Sequence, residues 1–463
     1  MQRRTTSRTA RQLLRALLFA GAACGATPAN ALTFPEALAL ARDNEPTYLS
    51  AKANFAAVRE RERQALGGLL PQVTASASSN DNHRNWDTRN PLFSPEVAHF
   101  RSNNAQISLT QPLWRHSNLI ALSQSEALAA QAEFQLLTAE QELYAKLVGA
   151  WLECMTARDG VTLAERAEAT AREQWDAARR GADLGTGSTP AREDARAKYD
   201  QAQSDRVTAS MELNGKIAAL EQLVGSLPAF EPPQLAQEFQ ARDLTQESLD
   251  GWLSTAENHS PQIAAARHAL DAANEEIRKQ SAGHEPTLDL VASYMRNGQG
   301  AGNFPGQNGY DIRQNALGLQ LNIPLYAGGT QGAKVNEAIA LRDKATHELE
   351  AARRAIRLAA KQAWYGWTSA NARQRAALQA VSSAALALKA ATTGKAKGLN
   401  IELDRLQAAQ QVASARRDLN KARGEMMSAI FKLKAAAGQM TEADLIALAE
   451  LFVVEDAPSE ESL

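Results

Sequence analysis

Ala105-Gln106-Ile107-Ser108-Leu109-Thr110-Gln111-Pro112-Leu113-Trp114 alternates apolar and polar side chains, and Leu317-Gly318-Leu319-Gln320-Leu321-Asn322-Ile323-Pro324-Leu325-Tyr326 does so again. Alternation with period two marks a strand with one apolar face. Each stretch has an upstream partner of the same kind. Val73, Ala75 and Ala77 alternate with Thr74, Ser76 and Ser78, while Leu288, Leu290, Ala292 and Tyr294 share one face and Val291 makes the other less purely polar. The sequence therefore predicts four strands of about ten residues, at about 71–80, 105–112, 286–295 and 315–324.

The strands belong to an internal duplication. Pro46 and Pro71 recur at the same spacing as Pro261 and Pro286, each pair bracketing a helical stretch that runs into a strand. A repeat of this size organises the rest of the chain. After each strand pair comes a long Ala-rich helical region, from Ser117 to about Arg180 and from Gln331 to about Thr393. At 1.5 Å per residue each spans on the order of 95 Å. Both meet a glycine-containing turn, Gly181 to Gly187 or Gly394 to Gly398, and a second helix returns. Hairpins of this kind pack as antiparallel coiled coils. The first repeat is expected over 32–227 with its hairpin at about 117–225, and the second over 244–438 with its hairpin at about 331–437. A connector, 228–243, joins them, and 439–463 forms a C-terminal equatorial segment with an acidic tail.

Residues 1–31 read as a secretory signal, with Arg3, Arg4, Arg8, Arg11 and Arg15 around an apolar run and Ala29-Asn30-Ala31 as a cleavage site. Lipidation at Cys24 is the competing reading, although Gly21-Ala22-Ala23 lacks the large aliphatic residue usual before such a cysteine. The whole chain carries a net charge of −2, and loss of the five leader arginines makes the mature chain more acidic. That balance argues against nucleic acid as a partner. Cys154 would stand alone, as a small buried helical residue.

No run of 18 or more apolar residues follows the leader. Four alternating strands alone also fit a half-buried sheet capping a soluble helical protein. Export, strand lengths near those needed to span a bilayer, and apolar faces free of charge except near their ends favour membrane strands. Four strands cannot close a barrel, because a lipid-exposed edge leaves backbone groups unpaired. Closure must be shared between protomers. Two would give eight strands and a filled interior, three give twelve and a lumen, and transport favours three.

Asn44-Glu45-Pro46 with Leu70-Pro71-Gln72, the segment Pro324-Leu325-Tyr326-Ala327-Gly328-Gly329, and the helical stretch Gly398 to Gly438 carry a resemblance to the TolC family of outer-membrane exit ducts. It covers nearly all of the mature sequence. The resemblance implies a mainly α fold with membrane β-strands: a homotrimeric duct with a twelve-stranded shared barrel, surrounded by outer-membrane lipid and continued by a long periplasmic α-helical coiled-coil barrel. Its implied partners are a periplasmic adaptor (membrane fusion protein) and an inner-membrane ABC or proton-driven transporter; it implies no cofactor. The turns around Gly185 and Gly398 would form the inner tip, the periplasmic entrance. An acidic pair rings this entrance in the family; here its positions fall on Asp404 and Gln407, so one carboxylate is retained. Three copies of Asp404 would still attract cations and disfavour anions, and a solvated Asp404 paired with Arg405 is the alternative. Where the family often carries Thr-Asp, this chain has Pro190-Ala191, leaving Asp183, Glu193, Asp194 and Lys395 as candidates for other contacts that hold the tip shut. Trp114 and Tyr326, equivalent in the two repeats, are expected to anchor the barrel at the membrane interface.

An enzyme is disfavoured. No two of the seven histidines stand at zinc-ligand spacing with a carboxylate between them, and there is neither a Gly-x-Ser-x-Gly elbow nor a phosphate loop. A periplasmic adaptor is the other rival, but adaptors carry one hairpin between β-rich domains, whereas two hairpins each follow a strand pair here. The expected function is an outer-membrane channel-tunnel for type I protein secretion, with tripartite efflux of drugs or metals as the alternative.

Overall fold

A computed structural model describes residues 32–87, 89, 92, 96–227, 230–235, 248–301, 308–397, 402–449 and 452–453. The leader with Cys24, most of the connector, Gly398 and the acidic tail lie outside the described residues.

The first repeat runs α1 (Phe34–Asn44), α2 (Pro46–Gly67), β1 (Gln72–Trp86), β2 (Glu96–Trp114), α3 (His116–Asp183), α4 (Thr189–Val224). After the two-residue β3 (Gln234–Leu235), the second follows the same order: α5 (Leu249–His259), α6 (Pro261–Ser281), β4 (Thr287–Gln299), β5 (Tyr310–Asn322), α7 (Thr330–Ala396), α8 (Glu402–Ala436). A short α9 (Glu442–Ala449) and β6 (Phe452–Val453) end the described chain. Local chemistry sets the boundaries. The Thr33 hydroxyl accepts from the Glu36 amide while the Glu36 carboxylate accepts from the Thr33 amide at 2.9 Å, a capping box at the start of α1. Pro46, Pro190 and Pro261 each occupy the first turn of a helix, where a missing N–H costs nothing.

The four long strands form one antiparallel sheet in the order β1-β2-β4-β5. Its two outer edges, on β1 and β5, have no strand partner among the described residues of the protomer. The strands run beyond the predicted alternation: β1 reaches Trp86 and β2 starts at Glu96. The extra rungs carry polar residues on both faces, interrupted by Val97, Ala98 and Phe100, and are held by side-chain pairs. Asn82 bonds Ser102 at 2.8 Å, and His83 meets His99 with ring nitrogens 3.0 Å apart. Such rungs hold a ladder but leave no period-two signal, so the sequence places them in loops.

The helices repeat the logic of the sheet. Next to the strands, α2 packs on α3, α3 on α6 and α6 on α7, a curved row with α2 and α7 at its ends. At the far end α4 packs on α3, α3 on α8, and α8 on α7. With 68 residues, α3 is roughly 100 Å long at 1.5 Å per residue. The largest core lies at mid-length, where Phe34 and Leu38 of α1 meet Leu147 and Trp151 of α3, Val224 of α4, and Met427 of α8. Its counterpart gathers Trp252 and Ile263 with Leu349, Ile356 and Leu433. Short α1 and α5 thus form a belt around the long helices. The belt is clipped by the antiparallel pair β3–β6 and by Lys434, which bonds Asp444 at 2.6 Å.

Candidate functional site

Each strand has two faces, fixed by register. On one face Val73 opposes Leu109, Ala75 opposes Ile107, Leu109 opposes Ala292, Leu290 opposes Leu319, and Ala292 opposes Leu317. These side chains are exposed or half-buried, with Leu317 75% and Leu319 66% exposed. A contiguous exposed apolar band across four strands is a lipid-facing wall.

The opposite face points into the lumen of a closed barrel. From Gln72 to Asn82 it presents Gln72, Thr74, Ser76, Ser78, Asn80 and Asn82, and from Ser102 to Thr110 it presents Ser102, Asn104, Gln106, Ser108 and Thr110. The other strands continue it with Val291, Ser293, Met295 and Asn297, and with Gln314, Ala316, Gly318 and Gln320. No Asp, Glu, Lys or Arg lies in these stretches of the face. Hydroxyls satisfy one another across the strands, as Thr74 and Ser108 do at 2.7 Å.

Charge enters where the barrel meets the helices. Asp289 has only 6% of its surface exposed, and its carboxylate accepts from the Arg115 Nε at 2.9 Å and Nη2 at 2.6 Å. One residue on, His116 Nδ1 lies 2.9 Å from the Glu285 carboxylate. Both contacts join the end of the first strand pair to the start of the second. A ladder irregularity between Pro112 and Trp114 brings Trp114 opposite Leu288, hence onto the apolar face. Trp114 is 53% exposed; Tyr326, 88% exposed, lies beyond the end of β5.

At the far end, the α3–α4 turn wraps one carbonyl. Gly181 O accepts from the Thr186 amide at 2.9 Å and the Gly187 amide at 2.8 Å. Gly185 holds φ at 72°, a left-handed turn that favours glycine. A Cβ on Gly187 would sit 3.0 Å from the Gly181 carbonyl carbon, so the turn closes tightly only with glycine there. Ser188 caps α4 by accepting from the Ala191 amide at 3.3 Å, which puts Pro190-Ala191 in a capped first turn. Asp194, one turn on, pairs with Lys198 at 2.7 Å on the surface. Asp404 and Gln407 are exposed in the first turns of α8, on one side of the helix by their spacing of three. The sequence-predicted gate residues thus fall on two turns, Gly185 and Asp194 on one hairpin, Asp404 and Gln407 on the other.

Between the hairpins lies a contact that no local sequence pattern signals. Asn420 of α8 donates to the Asp159 carboxylate of α3 at 2.9 Å. Burial pushes the Asp159 carboxyl above its ordinary value, against the Asn420 bond and the Arg158 charge. Nearby, burial drives the Cys154 thiol up to about 12, so it is an inert packing group rather than a nucleophile. In the belt, burial opposes the Arg42 charge, but hydrogen bonds to Glu442 and Tyr144 prevail and raise its pKa. Among the described residues no group of three or more His, Cys, Asp or Glu could hold a metal ion, and no helix is long and apolar enough to cross a membrane.

An apolar-out, polar-in strand wall with open edges, continued by helical hairpins of this length, defines an outer-membrane channel with a large periplasmic portion. The model of the outer membrane efflux protein family matches residues 37–226 and 252–439, one stretch per repeat, and the chain belongs to that family. It is similar to the alkaline protease secretion protein AprF of Pseudomonas aeruginosa, with 27% identity over 91% of this chain and 87% of that one. To the outer membrane protein TolC of Vibrio cholerae it is 27% identical over 88% of this chain and 90% of that one. Among solved structures, the Campylobacter jejuni CmeC outer membrane channel superposes with a TM-score of 0.71 at 16% identity, covering 91% of this chain and 90% of that chain. VceC of Vibrio cholerae gives 0.69 at 19%, covering 88% and 96%. The fold is that of TolC-like channels, which are homotrimers working with periplasmic adaptors and inner-membrane transporters as transport conduits, not enzymes.

Proposed function

We propose that this channel serves type I protein secretion, receiving an unfolded polypeptide from an inner-membrane ABC transporter and its adaptor. The observation that carries this reading is the uncharged lumen wall, in which Ser, Thr, Asn and Gln predominate. An unfolded chain exposes both signs of charge and many backbone groups, and a neutral hydrogen-bonding wall holds none of them strongly. The names of two relatives, AprF and the Dickeya chrysanthemi proteases secretion protein PrtF, point the same way. The second reading is tripartite small-molecule efflux, favoured by the relative named outer membrane efflux protein BepC, of Brucella suis.

In this reading the tip around Gly185 and the α7–α8 turn is the periplasmic entrance, Asp404 supplies its negative ring with Gln407 beside it, and Asp194 braces the other hairpin. Trp114 and Tyr326 anchor the barrel at the inner interface. Deleting the gene and assaying protein export and drug susceptibility in parallel tests the assignment. Loss of an exported protein with unchanged susceptibility is expected; the reverse pattern would establish the efflux reading.

A further inference from the structure

The lipid-facing ladder of β4 and β5 climbs through Leu288 opposite Leu321, Leu290 opposite Leu319, Ala292 opposite Leu317, and Tyr294 opposite Asn315. The next pair on the same face is Arg296 opposite Arg313. Like charges directly opposed across a ladder repel at close range. Asp311 is the charge partner of Arg296, at 4.0 Å, with side chains 54% and 70% exposed. Two guanidinium groups facing one loosely held carboxylate leave an excess of positive charge at this point of the wall.

Position gives this pair its meaning. From Leu288 to Tyr294 the apolar wall rises roughly 20 Å along the strand at about 3.4 Å per residue, and Tyr294 tops it where an aromatic girdle belongs. The arginines therefore stand at headgroup level, on the side away from the helices. Beside them the outward side chains are small. Ala77, Ser79, Asn103, Ala105 and Gly298, with Arg296 and Asp311 among the other lining residues, surround a depression of about 480 Å³.

We propose that Arg296 and Arg313 form a binding site for a phosphate group of the phosphorylated glycolipid in the outer leaflet. A guanidinium presents a planar fork that matches phosphate oxygens. One phosphate between the two forks converts their repulsion into two charge-assisted attractions. The depression takes the sugar that bears the phosphate, and the exposed wall of Ala292, Tyr294, Leu317 and Leu319 takes its acyl chains. A free phosphate would gain the first contact without the others, so the lipid is the favoured occupant. The trimer repeats the site three times.

The test uses the detergent-purified, delipidated full-length trimer and three probes: bisphosphorylated lipid A in mixed micelles, the same lipid dephosphorylated, and inorganic phosphate. The wild type should bind the bisphosphorylated lipid at least about tenfold more tightly than the dephosphorylated one. Arg296→Gln with Arg313→Gln should abolish that preference. Arg313→Glu separates binding from folding, since an opposite-charge pair across the ladder should keep or raise trimer stability while the preference is lost. Equal binding of both lipids by the wild type, or an unchanged preference in the variants, overturns the proposal. Displacement of the lipid by low-millimolar inorganic phosphate would overturn the lipid assignment and mark a simple anion site.

Discussion

Arg115 and Asp289 show how one side chain can hold two repeats together. The carboxylate is buried and accepts both arms of a guanidinium from the other strand pair. Removing the arginine leaves a buried charge unpaired, a loss normally larger than the gain from forming the pair. Because Arg115 is 39% exposed, water recovers part of that loss. Arg115→Ala should lower trimer stability by about 2 kcal/mol, read as a fall in thermal midpoint, with partial recovery in Arg115→Lys. Asp404 makes a different case, since its own side chain is exposed and the proposed entrance role is an effect on passing ions. Asp404→Asn should reduce the cation preference of the reconstituted channel, measured as the reversal potential in a salt gradient; an unchanged potential removes Asp404 from the entrance. Asp404 is picked out in the sequence by the family resemblance, counted from the turn glycine Gly398. Arg115 and Asp289 lie 174 positions apart and become neighbours only through strand register, which no local pattern encodes.

Among the elements, α3 is the hub, packing on α2, α4, α6 and α8. Its contact with α8 joins the two hairpins, and there Asp159 accepts from Asn420. Burial raises the Asp159 carboxyl above its ordinary value of 3.8. The folded state therefore holds this proton more tightly than the unfolded chain, so the stabilisation is complete below that ordinary value and is lost as pH rises through the raised one. Asp159→Asn keeps the polar contact and removes the charge. Its stability relative to wild type should increase as pH rises from about 4 to 7. Parallel melting curves of the two proteins check this, and a constant offset across that range would sink it. The long helices themselves were legible, since an Ala-rich run without Pro carries its own signal. The upper rungs of β1 and β2 were not, because polar residues on both faces erase the alternation from which strands are recognised.

At the scale of the molecule, the unpaired edges of β1 and β5 decide the assembly. The sequence yields the strand count and hence the need for shared closure; the register adds where the ladder must join. Gly318 lies within β5, opposite Val291 on its inner side. Proline there removes a backbone donor from the strand that carries the open edge. Gly318→Pro should abolish the heat-modifiable trimer in detergent gels while the helical signal in circular dichroism stays largely intact; a normal trimer would mean that β5 is not the joining edge.

Those same edges carry a genetic consequence. A protomer with one faulty edge can still offer its sound edge to one good neighbour, so it enters rings that it cannot close. In a cell making equal amounts of sound and faulty chains, only about one ring in eight would be wholly sound under random mixing. A lesion confined to a strand edge should therefore behave as a dominant poison, whereas one that prevents the chain from folding at all should be recessive.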